Sequence, residues 1–197
     1  MGMHEVMISR GFADDERTRV ADLYWEAFGQ KLRPGFVDEQ TGVHAVRAGL
    51  QPEHVLVARR DGALLGVCGF YGTNSGAVDL TWSSLRRTLS IPAAMRASIV
   101  LAVLSRSART DSLVLDGICV DRAARGLGIG TALLGAASSY ARTVGARSVR
   151  LSVVDGNPRA RALYERQGFT PVDSGTLGVL PVVYGFDRYT TMELKVA

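Results

Sequence analysis

Three glycines alternate in the segment Arg125-Gly126-Leu127-Gly128-Ile129-Gly130-Thr131, shortly after an apolar run that ends at Val120. Leu113 to Val120 reads as a strand and Thr131 to Val144 as a helix with Leu133, Ala137, Tyr140 and Val144 on one face, so the glycines stand where a strand hands over to a helix N-terminus. That arrangement makes an anion site. Bare glycine backbones let successive N–H groups converge, and the helix end contributes about half a positive charge. A diphosphate is the natural guest. Two familiar phosphate loops fail on spacing. The dinucleotide fingerprint needs a third glycine where this chain has Thr131 or Leu133, and the triphosphate loop needs a lysine where the chain has none, its only lysines being Lys31 and Lys195.

A second constellation follows 27 residues beyond Gly130, in Asn157-Pro158-Arg159-Ala160-Arg161-Ala162-Leu163-Tyr164-Glu165-Arg166-Gln167-Gly168-Phe169. Asn157 before Pro158 is a helix N-cap with proline at the first helical position, and Gly168 stops the helix. The first segment fits Arg/Gln-x-x-Gly-x-Gly and the second fits Asn-x-x-Ala-x-x-x-Tyr-x-x-x-Gly-Phe. With both motifs in this order, the sequence resembles the GNAT superfamily of N-acetyltransferases over 113–169.

The resemblance implies acetyl-CoA as co-substrate and a small-molecule or peptide amine as acceptor. Backbone groups of Ile118, Cys119 and Val120 would meet the pantetheine arm, and Arg125, Gly126, Leu127, Gly128, Ile129, Gly130 and Thr131 would hold the pyrophosphate. Asn157 would bond the pantetheine side, and Tyr164 would protonate the departing thiolate. Amine attack on a thioester also calls for a fixed N–H donor at the oxyanion and a base for the ammonium. Asp116 leads the base candidates, followed by Glu26, His54 and a water relay; where some relatives carry a carboxylate on the next strand, this chain has Ser152. Cys119 lies in an apolar strand, which raises a thiol pKa, so transfer is expected by direct ternary-complex attack without a covalent enzyme intermediate. The rival reading is a non-catalytic acyl-CoA-binding or regulatory protein of the same fold.

The elements that must position these residues follow from periodicity. Helices are expected over 14–31 and 38–50, and His54 to Arg60 and Ala63 to Tyr71 form a hairpin around Asp61-Gly62. Residues 73–110 read as a helical insertion around Pro92. Its apolar positions Trp82, Leu85, Leu89 and Ile99 are open to three uses: covering the acceptor, meeting a second copy, or extending the core. Ser148 to Val154, Phe169 to Val172 and Tyr189 to Val196 read as strands, with Pro158 to Gln167 helical and Gly175 to Gly185 a loop. The class is therefore mixed α/β, expected as a single GNAT-like domain over 1–197 with a mixed central sheet flanked by helices.

Composition excludes several alternatives. A chain of 197 residues with 47% hydrophobic and 21% charged residues buries roughly 70% of its unfolded surface and needs no staple. Cys68 and Cys119 sit in apolar runs, so no metal site is expected. The net charge of +4 is scattered without aromatic interleaving, which argues against a nucleic-acid partner. Met1 to Arg10 lacks the apolar core of a signal peptide and no run approaches a bilayer span, so a cytoplasmic protein without membrane contact is expected. Folds of this kind are often dimeric, which leaves a homodimer open.

Overall fold

The acidic run Asp14–Glu16 forms one 3-10 turn that leads into the first helix, α1 (Arg17–Leu32). Glu16 Oε2 accepts the Ala13 N–H at 2.9 Å, taking up one of the donors that a helix start leaves over. Asp38 caps α2 (Glu39–Gly49) by accepting the Thr41 N–H at 2.7 Å. The expected hairpin is β2 (Val55–Arg60) and β3 (Ala63–Phe70), turned by Asp61 and Gly62 at φ +53° and +77°. The computed structural model describes residues 6–72, 75–102, 111–176 and 188–196. The later elements are α3 (Trp82–Thr88), α4 (Ile91–Ala102), β4 (Ser112–Val120), α5 (Ile129–Thr143), β5 (Ser148–Val154), α6 (Pro158–Arg166), β6 (Thr170–Thr176) and β7 (Arg188–Lys195).

A short strand, β1 (Met7–Arg10), was not foreseen. Its four residues are too few for an alternating pattern to register, and it forms only by pairing antiparallel with β2, Met7 opposite Arg59. The seven described strands make one mixed sheet in the order β1-β2-β3-β4-β5-β7-β6, in which only β4 and β5 run parallel. Of the span expected to be helical, 73–110, α3 and α4 lie between β3 and β4, while 73–74 and 103–110 fall outside the described residues; of the loop expected over 175–185, Gly175 and Thr176 belong to β6 and 177–185 fall outside the described residues.

Strand alternation sends side chains into two cores. Val55, Val57, Val67 and Cys119 point to the face covered by α1, α2, α3 and α4, together with Leu23, Trp25, Val46, Leu85, Ala94 and Ala97. Leu56, Cys68, Phe70, Leu115, Val149 and Leu151 point to the opposite face, under Leu133, Leu134 and Ala137 of α5 and Tyr164 of α6. Leu85 on α3 and Ala94, Ala97 and Leu101 on α4 thus extend the core, whereas Ile99 is 67% exposed. Among the described residues, no helix is long and apolar enough to cross a membrane.

Candidate active site

β4 and β5 pair only from Ser112 opposite Ser148 to Val114 opposite Arg150, where the Ser112 and Ser148 hydroxyls meet at 2.9 Å. Beyond that point they part. β4 continues along β3 to Val120 opposite Gly66, and β5 continues along β7 to Val154 opposite Tyr189. Antiparallel partners alternate between hydrogen-bonded and open pairs. Asp121 N–H donates to Leu65 O at 2.8 Å, so in this register Cys119 and Gly117 spend their backbone groups on β3, while those of Ile118 and Val120 face the opening left by β5. The Val120 carbonyl accepts from Arg125 Nε at 3.2 Å. Of the three strand residues singled out by sequence, Ile118 and Val120 therefore present backbone to the gap, and Cys119 does not.

The glycine turn closes the end of this opening. Gly126 and Gly128 stand at φ +85° and +78°, the left-handed region that a side chain would strain, and a Cβ at either would meet nothing within 4 Å. Gly128 caps α5 without a side chain, so the first N–H groups of the helix, from Ile129, Gly130 and Thr131, have no capping oxygen. Gly130 serves packing, since a Cβ there would come within 3.0 Å of Leu163 Cδ2 on α6. Ile129 is buried in the core, and Leu127 is half exposed. Arg125 donates from Nη2 to Glu26 Oε1 at 3.0 Å, and Arg122 donates from Nε to the same oxygen at 2.8 Å. Glu26 is thus tied to two arginines, a poor setting for a base toward a substrate ammonium.

Across the gap, Asn157 Oδ1 accepts the Ala160 N–H at 3.1 Å and caps α6 as the Asn-Pro pair implies. Tyr164, two residues before the end of α6, is buried against Phe169, their ring centroids 6.0 Å apart. Ser152 Oγ lies 3.3 Å from Thr191 Oγ1, so a hydroxyl pair occupies the position of the missing carboxylate.

Asp116 owes its position to an irregularity. Gly69 pairs with Gly117 and Phe70 with Leu115, so Asp116 is the extra residue of a β-bulge. The bulge reverses the alternation of β4, and Asp116 meets α1, where its Oδ2 accepts the Tyr24 hydroxyl at 2.7 Å. Burial first, and then the negative charge of Asp116, hold the Tyr24 phenol well above its ordinary value, so it stays the donor. Tyr24 carries no motif in the sequence, and its helical spacing marked it only as core. Room for its ring and for Phe28 comes from paired glycines: a Cβ on Gly69 would meet Tyr24 Oη at 2.2 Å, and one on Gly117 would meet Phe28 Cζ at 2.0 Å.

Asp116, Tyr24 and Phe28 line a cavity of about 520 Å³ bounded further by Tyr71 after β3, the stretch Val78–Trp82, and Ser98 and Leu101 of α4. His54 stays outside this lining; its Nδ1 lies 3.2 Å from the Gly76 carbonyl, so it braces the cavity rim. Behind the wall, burial pushes the Cys68 thiol up to about 12 and raises that of Cys119 as well, which leaves neither as a nucleophile. The Asp121 carboxyl, at the end of β4, is held below its ordinary range by the Ala123 N–H and then by Arg19 of α1. No group of three or more metal-ligating side chains occurs among the described residues.

Comparison with known proteins gives the family and the fold. The model of the acetyltransferase (GNAT) family matches residues 17–169. Over 53 residues, 27% of this chain, the sequence is 51% identical to a mycothiol acetyltransferase of Beutenbergia cavernae, and the match spans only 18% of that relative. An N-acetyltransferase from Staphylococcus aureus Mu50 superposes with a TM-score of 0.72 at 18% identity, covering 95% of this chain and 100% of that one. A GCN5-related N-acetyltransferase from Kribbella flavida gives 0.61 at 20% identity, covering 96% and 97%. The Salmonella typhimurium protein yncA, whose structure carries its cofactor acetyl-CoA, gives 0.59 at 18% identity, covering 98% and 94%. At these identities the structural likeness is one of fold.

Proposed function

The chain belongs to the acetyltransferase (GNAT) family, and from that premise we propose that it moves the acetyl group of acetyl-CoA to a primary amine by direct attack in a ternary complex, within one catalytic domain. The observation that carries the reading is the divergence of β4 from β5 after Val114, which frees backbone of Ile118 and Val120 beside the glycine-capped start of α5. The capping glycine, the uncapped helix N–H groups and the open space around Gly126 and Gly128 fit a pyrophosphate.

Acetyl-CoA, when bound, supplies an acyl carbon activated as a thioester. The Ile118 and Val120 backbone then orients the arm that carries it and offers a fixed N–H to the charge that develops on the acyl oxygen. Asp116, on the bulge between that backbone and the cavity, takes the proton that the ammonium must lose before it attacks. Tyr24 holds the Asp116 carboxylate by the 2.7 Å hydrogen bond. As the C–N bond forms and the C–S bond breaks, the Tyr164 hydroxyl gives its proton to the leaving sulfur, the nitrogen loses its second proton to solvent, and Tyr164 and Asp116 return to their resting states by exchange with water. Asn157, already spent on the helix cap through Oδ1, has its amide N–H groups to offer the arm.

The experiment is thiol release from acetyl-CoA with and without amines, in the wild type and in Tyr164→Phe. Amine-dependent release, lowered at least about tenfold in Tyr164→Phe with acetyl-CoA affinity kept, is the expected result. Binding of acetyl-CoA with no release for any amine would favour the regulatory binder instead.

A further inference from the structure

We propose that the acceptor is a small primary amine carried on a compact apolar body, aromatic or branched aliphatic, and not a polyamine or a peptide N-terminus; this rests on the acetyl-transfer reading above. The cavity beside Asp116 encloses about 520 Å³, a volume suited to one small molecule. The larger part of its surface is apolar, from Phe28 and Leu32 of α1, Val78 and Leu80 before α3, Trp82 of α3 and Leu101 of α4, with the hydroxyl residues Tyr71, Ser75, Thr81 and Ser98 set among them. Apolar surface of this kind repays a hydrocarbon body and penalises every polar group brought in without a partner.

Charge narrows the class further. Among the described lining residues the acidic groups are Asp116, on the reacting side, and Asp79, whose Oδ1 accepts the Thr81 N–H at 3.0 Å, a contact that does not cancel its charge. The reacting ammonium finds its counter-charge at Asp116, and Asp79 can balance no more than one further cation. A polyamine would bring further ammonium groups against hydrocarbon, and against Lys31, whose Nζ stands over the Phe28 ring at 5.9 Å. A peptide would bring a donor and an acceptor with each peptide bond, more than the few hydroxyls of a mainly apolar wall can satisfy. Val78 to Trp82 and Leu101 of this lining come from residues between β3 and β4, so acceptor choice resides in that segment.

The test compares kcat/KM for benzylamine, isopentylamine, spermidine and an alanine-initiated tripeptide at saturating acetyl-CoA, with acetyl-CoA binding measured separately by calorimetry. Benzylamine and isopentylamine should exceed the other two by about tenfold or more, the scale on which an apolar pocket discriminates. In Trp82→Ala, a change at a half-exposed position that spares the core, the benzylamine KM should rise about tenfold and the spermidine KM should not. A preference for spermidine or the tripeptide, turnover of none of the four by protein that releases thiol with another amine, or a benzylamine KM unmoved in Trp82→Ala overturns this inference alone. Binding of acetyl-CoA with release for no amine at all, or failure of the folded protein to bind acetyl-CoA, overturns the reading beneath it.

Discussion

The two regions that flank β4 are made of different material. At its C-terminal end the glycine turn is a backbone device, with Gly126 and Gly128 at positive φ and helix N–H groups left uncapped. Beside its bulge the cavity is a side-chain device, assembled from α1, the exit of β3, the approach to α3, and α4. A backbone site disfavours every side chain where φ is positive, whereas a side-chain wall is held only by volume and polarity. The first can therefore serve a fixed ligand group across many proteins, and the second can be rebuilt for each acceptor.

The largest way to break this division is Asp116→Asn. The bulge geometry survives the swap, but the base does not, so kcat should fall about a hundredfold or more while calorimetry finds acetyl-CoA affinity unchanged. An equal loss of affinity would mean that the two regions are one site. Gly117→Ala is the next in size. Its Cβ would stand 2.0 Å from Phe28 Cζ, so the protein should lose about 1–3 kcal/mol in denaturant unfolding and the amine KM should rise as Phe28 moves into the cavity.

The smallest effect is on acid stability. Glu16 takes two bonds from Arg59, at 2.7 and 2.6 Å, clamping the start of α1 to β2. Those side-chain bonds lead the causes that hold its carboxyl below the ordinary 4.5. A depressed carboxyl stabilises the fold above the unfolded value, and the contribution is lost as pH falls from 4.5 through the folded value. About 1 kcal/mol is at stake for a half-buried pair. Loosening α1 should disturb the cavity before the glycine turn, so the fluorescence of Trp25 and Trp82 should change at a higher pH than the helical circular dichroism.

The same contrast explains what was legible. Glycine spacing announced the turn because left-handed φ leaves few residue types to choose from, and Asn157-Pro158 announced α6 because a cap and a fixed φ are local. Asp116 was legible as a carboxylate on the right strand, yet the bulge that turns it toward α1 depends on how β3 pairs with β4. Tyr24 looked like one more apolar-face residue of α1; only the approach of that helix to Gly69 gives its hydroxyl a partner. Glu26 was a candidate base by position, and its ion pairs with Arg122 and Arg125 arise between segments about a hundred residues apart, beyond local pattern. β1 was hidden for a related reason, since its four residues become a strand only on the edge of β2.

The glycine turn at the end of β4 is expected to bind acetyl-CoA. Calorimetric titration of acetyl-CoA into the wild type and into Gly128→Glu tests it, because the added carboxylate has open space to occupy and would repel a pyrophosphate there. Saturable binding by the wild type, weakened about a hundredfold or more in a variant whose circular dichroism is unchanged, is the predicted result. Folded wild-type protein that does not bind, or a folded Gly128→Glu that binds equally well, would contradict it.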